Sequence, residues 1–80
     1  ERERMVEALR ELGYRVPESQ ANFVWLDLGD EATDFATAAV DAGVVVRPFA
    51  GDGVRVTVTH RLENDIFLGF ATMWAQSRAS

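Results

Sequence analysis

Eighty residues leave room for one small domain and one core, and a chain that is 48% hydrophobic and 26% charged has a globular composition, not a disordered one. Thirteen acidic residues against eight cations give a net charge of −5, which argues against nucleic acid and anionic membranes as partners. All eight cations are arginine, cysteine and lysine are absent, and His60 is the single histidine, so disulfides, thiolate chemistry and any lysine Schiff base are excluded on these residues and metal chemistry nearly so.

The first element expected is an amphipathic helix over Glu1–Leu12, with Met5, Val6, Leu9 and Leu12 at helical spacing and Gly13 as its stop. After a turn near Pro17, the run Ala21–Leu28 is apolar on both alternating faces, which predicts an interior strand covered on both sides. Gly29 and Asp30 make a turn with Asp30 as candidate N-cap. A second helix follows, carried by Ala32, Phe35, Ala36, Ala39 and Val40 and ended by Gly43.

Val44–Arg47 reads as a short strand that Pro48 halts, and Ala50–Gly53 as an exposed loop tip. Val54, Val56 and Val58 alternate with Arg55, Thr57 and Thr59, a half-buried strand with its valines inward and Arg55 on the opposite face. A last helix is expected from Leu62 to Gln76, with Leu62, Ile66, Phe67, Phe70, Met73 and Trp74 as its apolar stripe. The order α-β-α-β-β-α predicts an α+β fold, a single domain over residues 1–80, with a small three-stranded sheet backed on one face by helices. The other sheet face, bearing Arg55, Thr57 and one side of the Phe23/Trp25 strand, is too apolar for open solvent and too charged for a core. It is expected to contact another domain or subunit.

Arg47 and Arg55 are the residues best suited to chemistry, lying on strands or strand ends eight positions apart across a glycine-bearing loop. Each guanidinium offers a rigid fork that grips a carboxylate or phosphate through two bonds, so the pair suits a doubly anionic small molecule. The plainer alternative is that each pairs with a surface carboxylate. His60 reads as an exposed residue at a helix start, and Ser19 as a loop serine without the strained elbow of a nucleophile. Gly51-Asp52-Gly53 precedes a strand, so it does not meet a dinucleotide fingerprint. Trp25 and Trp74 read as core or interface, and Asp27, Asp30 and Glu31 as turn and cap residues.

Four blocks in order, Ser19–Trp25, Ala42–Phe49, Gly53–Thr57 and Glu63–Asp65 with Phe67-Leu68, resemble the C-terminal small domain of histidinol-phosphate aminotransferases and the related aromatic (phenylalanine-type) aminotransferases. The resemblance implies the aspartate aminotransferase fold and a homodimer in the cytoplasm. It also implies a larger chain whose other domain holds pyridoxal 5′-phosphate, while none is expected bound to these residues alone. The implied reaction moves an amino group between an aromatic amino acid or histidinol phosphate and 2-oxoglutarate. By the same resemblance Arg55 matches the arginine that binds the substrate α-carboxylate, and Arg47 one near the substrate side chain. Asn22 and Phe49 match positions that line or support the cleft. Val58-Thr59-His60-Arg61-Leu62 departs from the glycine and capping threonine usual in the histidinol-phosphate branch, which leans the resemblance towards the aromatic one. Alone, such a piece is expected to be inactive and, in the whole enzyme, to close over substrate about the Gly13–Pro17 segment. The alternative reading is a free-standing α+β module that binds a small anion or dimerises without catalysis. The feature expected to separate the two is the start, since Glu1 reads as opening inside a helix, as a piece of a larger chain would.

Overall fold

The computed structural model describes residues 1–18 and 22–79, so Ser19, Gln20 and Ala21 of the first matching block lie outside the described residues. Six elements follow in the expected order: helix α1 (Arg2–Glu11), strand β1 (Phe23–Leu26), helix α2 (Ala32–Asp41), strands β2 (Arg47–Phe49) and β3 (Gly53–Thr57), and helix α3 (Arg61–Ala79). The sheet order is β1-β3-β2 with both pairings antiparallel. Val24 and Leu26 of β1 and Val54 and Val56 of β3 face the helices. There they join Met5 and Leu9 of α1, Phe35 and Ala39 of α2, and Phe67, Phe70 and Ala71 of α3 in one core.

α1 and α2 end in the same way. Gly13 and Gly43 take positive φ of 98° and 81°, which glycine reaches without steric cost. In each case the glycine N–H and the next N–H fold back onto the last helical turn, Gly13 to Arg10 and Tyr14 to Leu9, Gly43 to Val40 and Val44 to Ala39. This is the Schellman closure, and it explains why Tyr14 and Val44 turn inward immediately after their helices.

Four local expectations fail for physical reasons. β1 is not an interior strand: β3 takes the central place, and β1 is an edge whose residues Phe23 and Trp25 stay half-buried on the open face. Asp30 is not a cap, because a 3-10 turn at Gly29–Glu31 leads into α2 and no side-chain cap bond forms. The strand expected at Val44–Arg47 starts only at Arg47. The closure at Gly43 uses the Val44 N–H, and Pro48 sits inside β2 opposite Val54, as an edge strand permits.

The fourth concerns α3, where Leu62 (73% exposed), Ile66 and Met73 (70% exposed) turn outward while Asn64, Phe67, Phe70 and Ala71 turn inward. Two adjacent apolar stripes compete on this helix, and polar contacts at its start choose between them. Asn64 is 2% exposed; its Oδ1 accepts from the Thr59 N–H at 3.0 Å, and its Nδ2 donates to the Thr59 carbonyl at 3.1 Å and to Glu1 Oε1 at 2.9 Å. Glu1 also accepts from Arg4 at 2.7 Å, and Arg4 reaches Asp65 at 2.8 Å. The Arg4 bond first, and the Asn64 bond next, pull the Glu1 carboxyl down to about 2. Asn64 thereby fixes the rotation of α3 against α1. Asn64→Ala removes the side-chain partners of the part-buried N–H and carbonyl of Thr59, so about 1–2 kcal/mol of stability is expected to be lost, read as a lower urea midpoint with an unchanged slope.

Candidate functional site

On the sheet face away from the helices, strand parity collects the residues that the sequence singled out. The register sets Arg55 between Trp25 on one side and Arg47 on the other, with Phe23 opposite Thr57 and Phe49 opposite Gly53. Arg55 is half-buried and Arg47 exposed. Like charges directly opposite in a sheet destabilise it. The ion pairs Glu1–Arg4, Arg4–Asp65 and Arg78–Glu31 involve other arginines, and neither Arg47 nor Arg55 is paired with a described carboxylate.

Aromatic rings take the place of counter-ions. The Arg55 guanidinium carbon lies 5.4 Å from the Phe23 ring centre and 5.9 Å from that of Phe49, and the Arg47 carbon lies 5.6 Å from Phe49. Trp25 packs against Phe49 at 5.5 Å between centroids, inclined at 53°. A ring attracts a guanidinium but lacks the paired oxygens of a carboxylate, so the fork's two-bond grip remains available to an anion.

Gly53 makes this packing feasible. A Cβ built there would fall on the Leu26 carbonyl oxygen and within 2.7 and 2.9 Å of the Cζ2 and Cε2 atoms of Trp25. Gly53→Ala therefore forces β1 and β3 apart or the indole off the sheet, at an expected cost of about 2–3 kcal/mol. A shift of tryptophan fluorescence alongside a lowered unfolding midpoint would check both consequences. The loop before Gly53 is a turn closed by the Asp52 N–H on the Phe49 carbonyl at 2.9 Å, with Gly51 at φ 83°. This is the type II pattern that requires glycine at its third position.

The structure thus brings Arg47, Phe49 and Arg55 together. Asn22 stands apart: it is exposed, out of phase with Phe23, and its carbonyl accepts the Val58 N–H at 3.0 Å, which extends the β1–β3 ladder. His60 is exposed immediately before α3, as expected of a helix-start residue. Trp74 packs edge-on against Phe35 in the core at 5.3 Å. The roles of Phe23 and Gly53 were not read from the sequence, although a glycine opening a valine-rich strand signals a close approach. Among the described residues, surface grooves also lie elsewhere. One passes Tyr14, Asp27 and Trp74, where Arg78 is already engaged by Glu31; another is largely apolar and passes Val45, Ile66 and Phe67. Among the described residues no group of side chains is arranged to hold a metal ion, and no helix is long and apolar enough to cross a membrane.

Comparison with known proteins places this geometry in a family. The profile of aminotransferase class I and II matches residues 1–68. An aromatic amino acid aminotransferase of Mycobacteroides abscessus is 58% identical over 74 residues, 92% of this chain and 21% of that protein. One from Streptomyces avermitilis is 66% identical over 68 residues, 85% of this chain and 19% of its own length. The chain therefore spans about a fifth of the length of these curated relatives. Among solved structures, a Burkholderia pseudomallei protein assigned as an aminotransferase superposes with a TM-score of 0.85 at 26% identity, covering 92% of this chain and 24% of that one. The histidinol-phosphate aminotransferase of Clostridium acetobutylicum shares the fold, with a TM-score of 0.82 at 22% identity over 95% of this chain and 25% of its own.

Proposed function

The chain belongs to the aminotransferase class I and II family, and we propose that it is the part of an aromatic amino acid aminotransferase that grips the substrate carboxylate. The observation that carries this reading is Arg55, a half-buried guanidinium on an open sheet face with no described carboxylate beside it. Its fork suits two parallel bonds to the α-carboxylate, which fix the amino acid in rotation as well as in place. Arg47, its cross-strand neighbour, is positioned for a second anionic group at the far end of a substrate such as 2-oxoglutarate. Phe49 and Trp25 offer an apolar wall against which an aromatic side chain can lie.

Pyridoxal 5′-phosphate, the cofactor general to this family, supplies the electron sink for amino transfer when bound. The residues here do not fit as its holder, because the chain has no lysine for a Schiff base. In this reading the holder is a large domain in the remaining four-fifths of a protein the length of the relatives, and the whole enzyme is a cytoplasmic homodimer. Asn22 is assigned a supporting role through its backbone. The relatives named for aromatic amino acids favour that branch over the histidinol-phosphate one.

Steady-state assay of the full-length enzyme tests the assignment. Phenylalanine or tyrosine with 2-oxoglutarate is expected to be turned over with a kcat/KM at least tenfold above histidinol phosphate. The reverse order would assign the other branch, and turnover of neither would overturn the reading.

A further inference from the structure

From the ring contacts of the open face, and resting on the carboxylate role proposed for Arg55, we infer that Phe23 and Phe49 are positioning residues that hold the Arg55 fork in its binding orientation. An arginine without a carboxylate partner loses rotamer entropy when it binds an anion. A carboxylate neighbour would restrain it, but at the price of competing with the substrate for the same N–H donors. Rings at 5.4 and 5.9 Å from its central carbon attract the guanidinium without offering it carboxylate oxygens, so they restrain the fork and do not compete with the substrate for a two-bond grip. The placement does not depend on one side chain alone. Phe23 comes from β1 and Phe49 from β2, on either side of the strand that carries Arg55. Phe49 is in turn backed by Trp25, which has room only because position 53 is glycine.

The same geometry resolves the cross-strand repulsion. Phe49 lies within 6 Å of both guanidinium carbons, so its negative ring face offsets part of the charge of each while the site is empty. When an anion arrives, it meets two cations already ordered and not neutralised. Phe23, whose ring lies against the guanidinium of Arg55 while that of Arg47 lies against Phe49, acts on the α-carboxylate alone.

A double-mutant cycle in the full-length enzyme tests this. The readouts are kcat/KM for phenylalanine and the inhibition constant of 3-phenylpropionate, a carboxylate that cannot react. Phe23→Leu keeps an apolar side chain of similar bulk but removes the ring, and is expected to weaken both by about 3- to 20-fold. Phe23→Tyr, which keeps the ring, is expected to stay within twofold of the parent. In an Arg55→Lys background, Phe23→Leu is expected to add less than twofold, because the orientation it maintains has gone. Equal losses from Phe23→Leu in both backgrounds, or a tyrosine variant as impaired as the leucine one, would overturn the inference while leaving the role of Arg55 intact. Should Arg55→Lys itself leave 3-phenylpropionate binding unchanged, the underlying reading fails and the inference with it. If Phe23→Leu does not fold by circular dichroism, Phe49→Leu on the exposed edge strand carries the same comparison.

Discussion

Replacing Arg55 with alanine in the full-length aminotransferase is expected to lower kcat/KM for phenylalanine and for 2-oxoglutarate alike, by about 100-fold or more. Each hydrogen bond between a guanidinium and a carboxylate contributes about 1.5–3 kcal/mol, and the fork makes two in parallel. Arg55→Lys keeps the charge but not the fork, so a loss of about tenfold is expected, placing lysine between arginine and alanine. The loss falls on both half-reactions because every amino and keto acid substrate carries the α-carboxylate. Arg47→Ala separates the two cations: its effect should follow a second anionic group, large for 2-oxoglutarate and small for phenylalanine. Kinetics of the Arg55 variants equal to those of the parent would remove Arg55 from the substrate site.

The position of Arg55 was legible in the sequence because it rests on period-2 alternation, the most local signal a strand carries. Three valines on one parity left the arginine no face but the other, and the β3 register bears this out. The blocks from Ser19 to Leu68 supplied the family, and the element order supplied the fold class. What stayed hidden depends on contacts distant in sequence. The sheet order, which makes β1 an edge, follows from the pairing of residues 23–26 with 54–57 across an intervening helix and hairpin, and no local pattern encodes it. The rotation of α3 is decided by Asn64 reaching Thr59 nearby and Glu1 at the other end of the chain; a hydrophobic stripe read alone selects Leu62 and Met73 instead. Phe23 was visible as half of an apolar strand face. Its contact with Arg55 becomes visible only once Phe23 is known to face Thr57 and Trp25 to face Arg55.

Phe35→Ala is the substitution expected to cost the fold most. Phe35 is fully buried, and four other aromatic residues surround it edge-on: Tyr14 at 6.1 Å, Phe67 at 6.3 Å, Phe70 at 5.0 Å and Trp74 at 5.3 Å between centroids. These come from the segment after α1 and from three positions along α3, so a single ring on α2 ties three parts of the helical layer together. Truncating a buried phenylalanine costs about 3–5 kcal/mol. A domain of this length has a total stability of only about 4–12 kcal/mol. The hydrogen bond that the Tyr14 hydroxyl donates to the Ala71 backbone carbonyl at 2.7 Å cannot close the cavity, since it fixes Tyr14 to α3 and limits its collapse towards α2. In urea, the 80-residue chain carrying Phe35→Ala should therefore lose about half of its folding free energy or more, whereas Met73→Ala, on the exposed side of α3, should stay within about 0.5 kcal/mol of the parent. A small loss at Phe35 would show that the helical layer repacks. The valine face behind Arg55 would then owe its support to α1 and α3, with α2 contributing little.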